Sequence, residues 1–290
     1  MLSYVLTLGL LALTANAGSL RIPPQHYIVG GVQASPGEYP SQLSLQYNGV
    51  HRCGASIISE NYALTTAYCV CVEECLIAEE SPKPPPTNFK TIFQLVSGTN
   101  DLQSTDKKIH NIAEITIRDG YIGEENSWLN NIAVIKVERS GNFDPSLLIA
   151  LHAGDPETGI EEPGKPVKIV GWGYETEDGT MSDLLLEADL TVVDFKTCHD
   201  RYFVEFGATA VVDQHICAAA LDGKRGSCDG DYGGPLLYID EAGPVVVGLM
   251  SWGLGCARPG YPAVYARTSR HCGWIKTNTN NEVSCTATQL

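Results

Sequence analysis

The chain has 290 residues, with 19 basic against 34 acidic side chains and a formal net charge of −15. A negative excess of that size argues against nucleic acid and anionic membrane surfaces as partners. Ten cysteines point to disulfides in an oxidising compartment rather than to a metal site, and no cofactor motif is present.

Taken in chain order, Leu2 to Leu13 is largely apolar and Ala15-Asn16-Ala17 has the small-residue form of a cleavage site. Residues 1–17 are therefore expected to be a signal peptide. The apolar stretch is short for a membrane span, and no other segment approaches one. Residues 18–27 then read as a short pro-segment ahead of Ile28-Val29-Gly30-Gly31. Removing it takes away Arg21 and leaves 18 basic against 34 acidic groups, or −16, on the body from Ile28 onward. Short runs rich in valine and isoleucine, broken by glycine, proline, asparagine and aspartate, predict an all-β body. Cys53-Gly54-Ala55-Ser56-Ile57-Ile58 is one such run, followed by Thr65-Thr66-Ala67-Tyr68-Cys69.

The stretch from Val70 to Asn88 carries Cys71, Cys75, the acids Glu73, Glu74, Glu79 and Glu80, and Ser81-Pro82-Lys83-Pro84-Pro85-Pro86. Two readings stand: a stiff, extended docking surface, or a solvated loop free to lengthen, which is the favoured one. Further on come Asn130-Asn131-Ile132-Ala133-Val134-Ile135, Val170-Gly171-Trp172-Gly173 and Gly230-Asp231-Tyr232-Gly233-Gly234-Pro235. Ser251-Trp252-Gly253, Pro262-Ala263-Val264-Tyr265 and Trp274-Ile275 close the series.

In this order and spacing, these windows resemble the chymotrypsin/trypsin family of serine proteases over nearly the whole length from Ile28. The resemblance implies two packed six-stranded antiparallel Greek-key β-barrels with a C-terminal α-helix. They would occupy residues 28 to about 145 and about 146 to 290. It also identifies three departures. Tyr68 stands where the family motif Thr-Ala-Ala-His-Cys has the base histidine, and Asn131 stands where Asn-Asp-Ile-Ala-Leu-Ile has the orienting aspartate. Tyr232 stands where Gly-Asp-Ser-Gly-Gly-Pro has the nucleophilic serine.

Acyl transfer needs a hydroxyl nucleophile, a neighbouring base titrating near neutrality, and a group that fixes the base's tautomer. A phenol, with a reference pKa of about 10, does not accept a proton readily at pH 7. Asn131 has no carboxylate to stabilise a cation. The Tyr232 phenol oxygen sits a ring's length from the backbone, away from where a serine oxygen would be. Losing nucleophile or base alone costs roughly a million-fold in a well-studied serine protease, or about 8 kcal/mol of barrier. The expectation is a pseudoprotease with no catalytic residue at the three triad positions.

The resemblance carries over other positions. Gly230 and the Tyr232 backbone match the amide donors of an oxyanion hole. Asp231 matches the partner of a freed amino terminus, here Ile28. Gly226 matches the floor of the primary pocket, and Gly253 and Ala263 match its walls, with the Ala263 methyl narrowing the slot. Tyr68 and Tyr232 are expected to plug the cleft in part. His26-Tyr27 precede Ile28 where a tryptic activator needs lysine or arginine. Either another protease cuts there or Ile28 stays unpaired. The implied disulfides are Cys53–Cys69, Cys198–Cys217 and Cys228–Cys256. Cys71, Cys75, Cys272 and Cys285 pair either as Cys71–Cys75 with Cys272–Cys285 or across the two sites.

The triple substitution further resembles the inactivated protease paralogues of the scabies mite, which are similar to mite trypsin-like allergens. That likeness implies a protein secreted into the gut and excreted, which binds host proteins, complement components chief among them. The alternative is a decoy that captures protease substrates or inhibitors in a residual cleft.

Overall fold

The computed structural model describes residues 28–72, 75, 83–126, 128–206, 211–220 and 222–287. The expected signal peptide (residues 1–17) and pro-segment (residues 18–27) lie outside the described residues. So do Glu73, Glu74, Glu79, Glu80, Ser81 and Pro82.

Strand β1 (Val32–Gln33) pairs with the second of two barrels. The first barrel contains β2 (Gln42–Tyr47), β3 (Val50–Ile57), β4 (Tyr62–Thr65), β5 (Phe93–Ser97), β6 (Lys108–Ile117) and β7 (Ala133–Val137). It closes in the order β2-β3-β4-β7-β6-β5, antiparallel throughout. After β8 (Ala150–Leu151), the second barrel is built from β9 (Pro166–Gly171), β10 (Leu186–Val193), β11 (His215–Ala219), β12 (Pro235–Asp240), β13 (Gly243–Trp252) and β14 (Ala263–Arg267). Its ring runs β9-β10-β11-β14-β13-β12 and closes through β12–β9. Closure leaves neither six-stranded ring with an open edge, while β1 and β8 pair outside the second ring on β10 and β13.

The sequence alternation explains the strands. Leu186, Ala188, Leu190 and Val192 of β10 point into the second barrel's core, while Glu187, Asp189 and Thr191 between them are less buried. That is the period-two pattern of a strand with one buried face. A separate apolar layer joins the barrels: Leu64 and Val134 from the first meet Val170, Leu237, Val246 and Leu249 from the second. Helix α4 (Cys272–Asn278) inserts Ile275 into the same layer. The other helices are α1 (Ala67–Val70), α2 (Phe89–Ile92) and α3 (Phe195–Phe206).

The described residues form five disulfides. Cys53–Cys69 ties β3 to α1, Cys198–Cys217 ties α3 to β11, and Cys228–Cys256 joins the loops before β12 and β14. Cys71 joins Cys75, and Cys272 joins Cys285, so no cross pairing occurs. Such bridges fit an extracellular, oxidising setting. Among the described residues, no helix is long and apolar enough to cross a membrane.

The layer between the barrels should carry a large part of the stability. Leu249 is fully buried within it, so Leu249→Ala is expected to cost about 2–5 kcal/mol in chemical denaturation. Leu148 is 41% exposed, and Leu148→Ala should change stability by less than about 1 kcal/mol.

Candidate functional site

Tyr68, Asn131 and Tyr232 meet where the two barrels face each other. Tyr68 lies in α1 directly after β4, Asn131 just before β7, and Tyr232 in the turn leading to β12. Asn131 is fully buried and joins the parts: its Oδ1 accepts from the Tyr68 backbone N–H at 2.9 Å, and its Nδ2 donates to Ser251 Oγ at 2.8 Å. The Tyr68 and Tyr232 rings pack edge to face, with centroids 5.2 Å apart. Arg52 caps Tyr68 from the other side, 5.4 Å from the ring centroid, and its Nε donates to the Cys69 carbonyl at 3.0 Å. The Tyr232 hydroxyl donates to Asp229 Oδ1 at 2.9 Å. Burial, and then the Asp229 carboxylate beside it, push the Tyr232 phenol above its ordinary value, so it stays protonated at neutral pH.

The turn beneath Tyr232 is held by Asp231. Its carboxylate is buried and accepts from the Gly173 N–H (2.9 Å) and the Cys228 N–H (2.9 Å). No bond from Ile28 to it forms among the described residues, although the Ile28 side chain is fully buried in the second barrel's core. Gly173 must be glycine here, because a Cβ would stand 2.4 Å from the Asp231 carboxyl carbon. Burial raises Asp231 to about 7 against its two hydrogen bonds, and Asp229 adds to the rise.

Gly230 has φ +93°, which an L side chain rarely adopts. The Gly230 and Tyr232 amides donate to no protein acceptor among the described residues. The carbonyl of Gly230 is fixed by His51, whose Nε2 lies 3.0 Å away, while His51 Nδ1 meets Ser44 Oγ at 2.8 Å. Burial lowers His51 to about 4, so its neutral ring donates to the carbonyl and accepts from the serine. Sequence reasoning missed this link because His51 and Gly230 stand 179 positions apart with no shared motif. A second serine–histidine pair, Ser97 with His110, is bonded at 2.7 Å. In both pairs the serine is almost fully shielded from solvent, so neither hydroxyl can reach a substrate.

Gly226, Gly253 and Ala263 come together around a cavity of about 40 Å³. The backbone of Ala257 closes it, lying 3.1 Å from where a Cβ on Gly226 would be. A water needs about 10–15 Å³ of such space, so the cavity holds about three waters, fewer than the heavy atoms of a lysine or arginine side chain. Two larger cavities, about 250 and 330 Å³, flank the Tyr68–Tyr232 pair, and both tyrosines line both of them. The rings therefore form a septum across the groove. In the loop between Val70 and Asn88, Lys83 is buried and donates to the Cys75 carbonyl at 3.1 Å.

The trypsin family profile matches residues 28–275. The chain is 36% identical over 259 residues to trypsin-1 of Astacus astacus, covering 87% of this chain and 99% of that one. It is 33% identical over 264 residues to fibrinolytic enzyme isozyme C of Lumbricus rubellus, covering 87% and 99% of the two chains. Identity to trypsin zeta of Drosophila melanogaster is 32% over 269 residues, covering 87% and 85%.

The Asp231 environment predicts a pH signature in the uncut chain. Its folded-state value stands above the ordinary carboxylate value of about 4, so the native state holds a proton that the unfolded chain releases. The resulting stabilisation is complete below about pH 4 and is lost as pH rises towards 7. Urea denaturation should show wild type losing up to about 4 kcal/mol relative to Asp231→Asn over that window. A pH-independent difference contradicts the protonated, buried carboxyl.

Proposed function

The chain belongs to the trypsin family of serine proteases, and on that premise we propose that it is a secreted, catalytically inactive member that acts by binding other proteins. One observation carries this reading. The residue at the nucleophile position, Tyr232, directs its hydroxyl to Asp229 and packs its ring on Tyr68, which occupies the base position. Neither side chain supplies an imidazole or a small, exposed hydroxyl. Asn131 adds no charge, and its amide is already bonded at both ends. With nucleophile and base both replaced, the backbone donors at Gly230 and Tyr232 have no attacking group to serve.

The partners proposed are host proteins, and among them complement components, as the likeness to the inactivated mite paralogues suggests. Release into the gut lumen and excreted material belongs to the same reading. The surface charge of −15 suits basic protein partners. Purified protein is expected to inhibit complement-mediated lysis of sensitised erythrocytes at micromolar concentration. Undiminished lysis contradicts the complement assignment, and retention of the chain on an immobilised serine-protease inhibitor would support the decoy alternative.

The small primary cavity gives a second prediction. The triple variant Tyr68→His, Asn131→Asp, Tyr232→Ser is expected to leave lysine and arginine peptide substrates uncut, because about 40 Å³ does not admit their side chains. Efficient cleavage by that variant would show the pocket to be open.

A further inference from the structure

Away from the septum, a surface cavity of about 340 Å³ lies between α3 and the loop before β14. Thr197, Asp200, Arg201, Val204 and Tyr261 line it, and none of them borders the two cavities beside the Tyr68–Tyr232 pair. Two guanidiniums from separate elements converge on one ring here. Arg201 of α3 and Arg258 of the loop stand 5.6 Å and 4.8 Å from the Tyr261 centroid. The frame that brings them together is fixed. Tyr202 of α3 is fully buried, donates its hydroxyl to the Pro262 carbonyl at 2.7 Å and packs its ring on Tyr261. The loop turns through Gly260 at φ +81°, a conformation that suits glycine, and the Tyr261 N–H donates to the Arg258 carbonyl at 3.0 Å. A Cβ at position 260 would stand 3.4 Å from Arg201 Nη2, so the α3 arginine lies against this turn. We propose that Arg201 and Arg258 bind a tetrahedral oxyanion of the phosphate or sulfate type, free or as an ester.

The nearby carboxylates are engaged with other groups. Glu205 accepts from the Tyr261 hydroxyl at 2.9 Å, and Asp200 is held by Lys196 and His199. Among the described residues, neither Arg201 nor Arg258 makes a hydrogen bond or an ion pair; each has only its contact with the Tyr261 ring. Each guanidinium presents five N–H donors in a planar fork that matches a pair of anionic oxygens. Two like charges held near one ring repel, and an anion between them turns that repulsion into attraction. Arg201, Arg258 and Lys196 outnumber Asp200 and Glu205 here, on a chain whose net charge is −15. A carboxylate has two oxygens and fills one fork. A phosphate monoester brings three oxygens and a charge of about −1.5 to −2, and a sulfate ester brings the same three oxygens, so either engages both forks at once. The Val204 side of the cavity leaves space for the organic group of an ester. Both arginines are exposed, so water and salt weaken their attraction and the site is one of modest affinity.

The test is calorimetric titration of the full chain at neutral pH with phenyl phosphate, phenyl sulfate, inorganic phosphate and benzoate. Phenyl phosphate is expected to bind with a dissociation constant of about 0.1–5 mM, at least about tenfold more tightly than benzoate. Its affinity should fall at least about threefold between about 20 and 200 mM sodium chloride. Arg201→Gln and Arg258→Gln change exposed side chains, so folding should persist, with circular dichroism as the check. Each should weaken phenyl phosphate at least about fivefold. Arg139→Gln, at an exposed position elsewhere, should leave binding unaltered. Inorganic phosphate binding as tightly as phenyl phosphate assigns the site to the free ion, whereas tighter binding of either phenyl compound assigns it to that ester. The proposal is overturned if none of the three tetrahedral anions binds saturably or if benzoate binds as tightly as they do. It is equally overturned if Arg139→Gln weakens binding as much as the two cavity substitutions.

Discussion

A buried carboxylate sets the geometry on which the site depends. Taking a charge out of water is costly unless it is paired or hydrogen-bonded. Asp231 meets that requirement only in part by accepting from Gly173 and Cys228, two backbone donors in separate loops, and burial raises its proton affinity for the remainder. The carboxyl thereby pins the loop after β9 to the turn before β12. The same turn reaches into the first barrel, where the Gly54 N–H donates to the Tyr232 carbonyl at 2.8 Å and His51 bonds the Gly230 carbonyl. All these bonds use backbone atoms or residues other than the Tyr232 side chain. The turn's shape is therefore insensitive to what side chain position 232 carries, and a tyrosine can occupy it while the frame persists.

Much of this was legible in the sequence because the informative windows sit at strand ends. The segments around Tyr68, Asn131 and Tyr232 each flank a strand, and barrel closure brings those ends to one face. The alternation of Leu186, Ala188, Leu190 and Val192 with less buried residues in β10 is local information of the same kind. What stayed hidden depends on contacts between distant segments or on loop conformation. The Ser44–His51–Gly230 chain has no local signature. The closing of the primary cavity follows from where the Ala257 backbone lies against Gly226, a property of loop path rather than residue type. The direction of the Tyr232 side chain is intermediate, since Asp229 stands three positions before it and could have been considered as an acceptor.

Placing two aromatic rings where a base and a nucleophile are expected does more than remove reactive atoms. A serine leaves a continuous groove, whereas the Tyr68–Tyr232 pair fills its centre and leaves separate cavities on either side. An extended peptide would have to displace that pair to lie across the site. The rings are held by Arg52 on one side and by the bond to Asp229 on the other. Binding by outer surfaces, or by the cavities one at a time, follows more naturally from this arrangement than binding along the whole groove.

The proposed loss of catalysis is tested most directly by exposing the purified chain to a fluorophosphonate probe at neutral pH and weighing the intact protein. The conditions should be those under which an active trypsin labels completely. The account predicts an unchanged mass. A stoichiometric adduct on Tyr232, or on any serine, would contradict it.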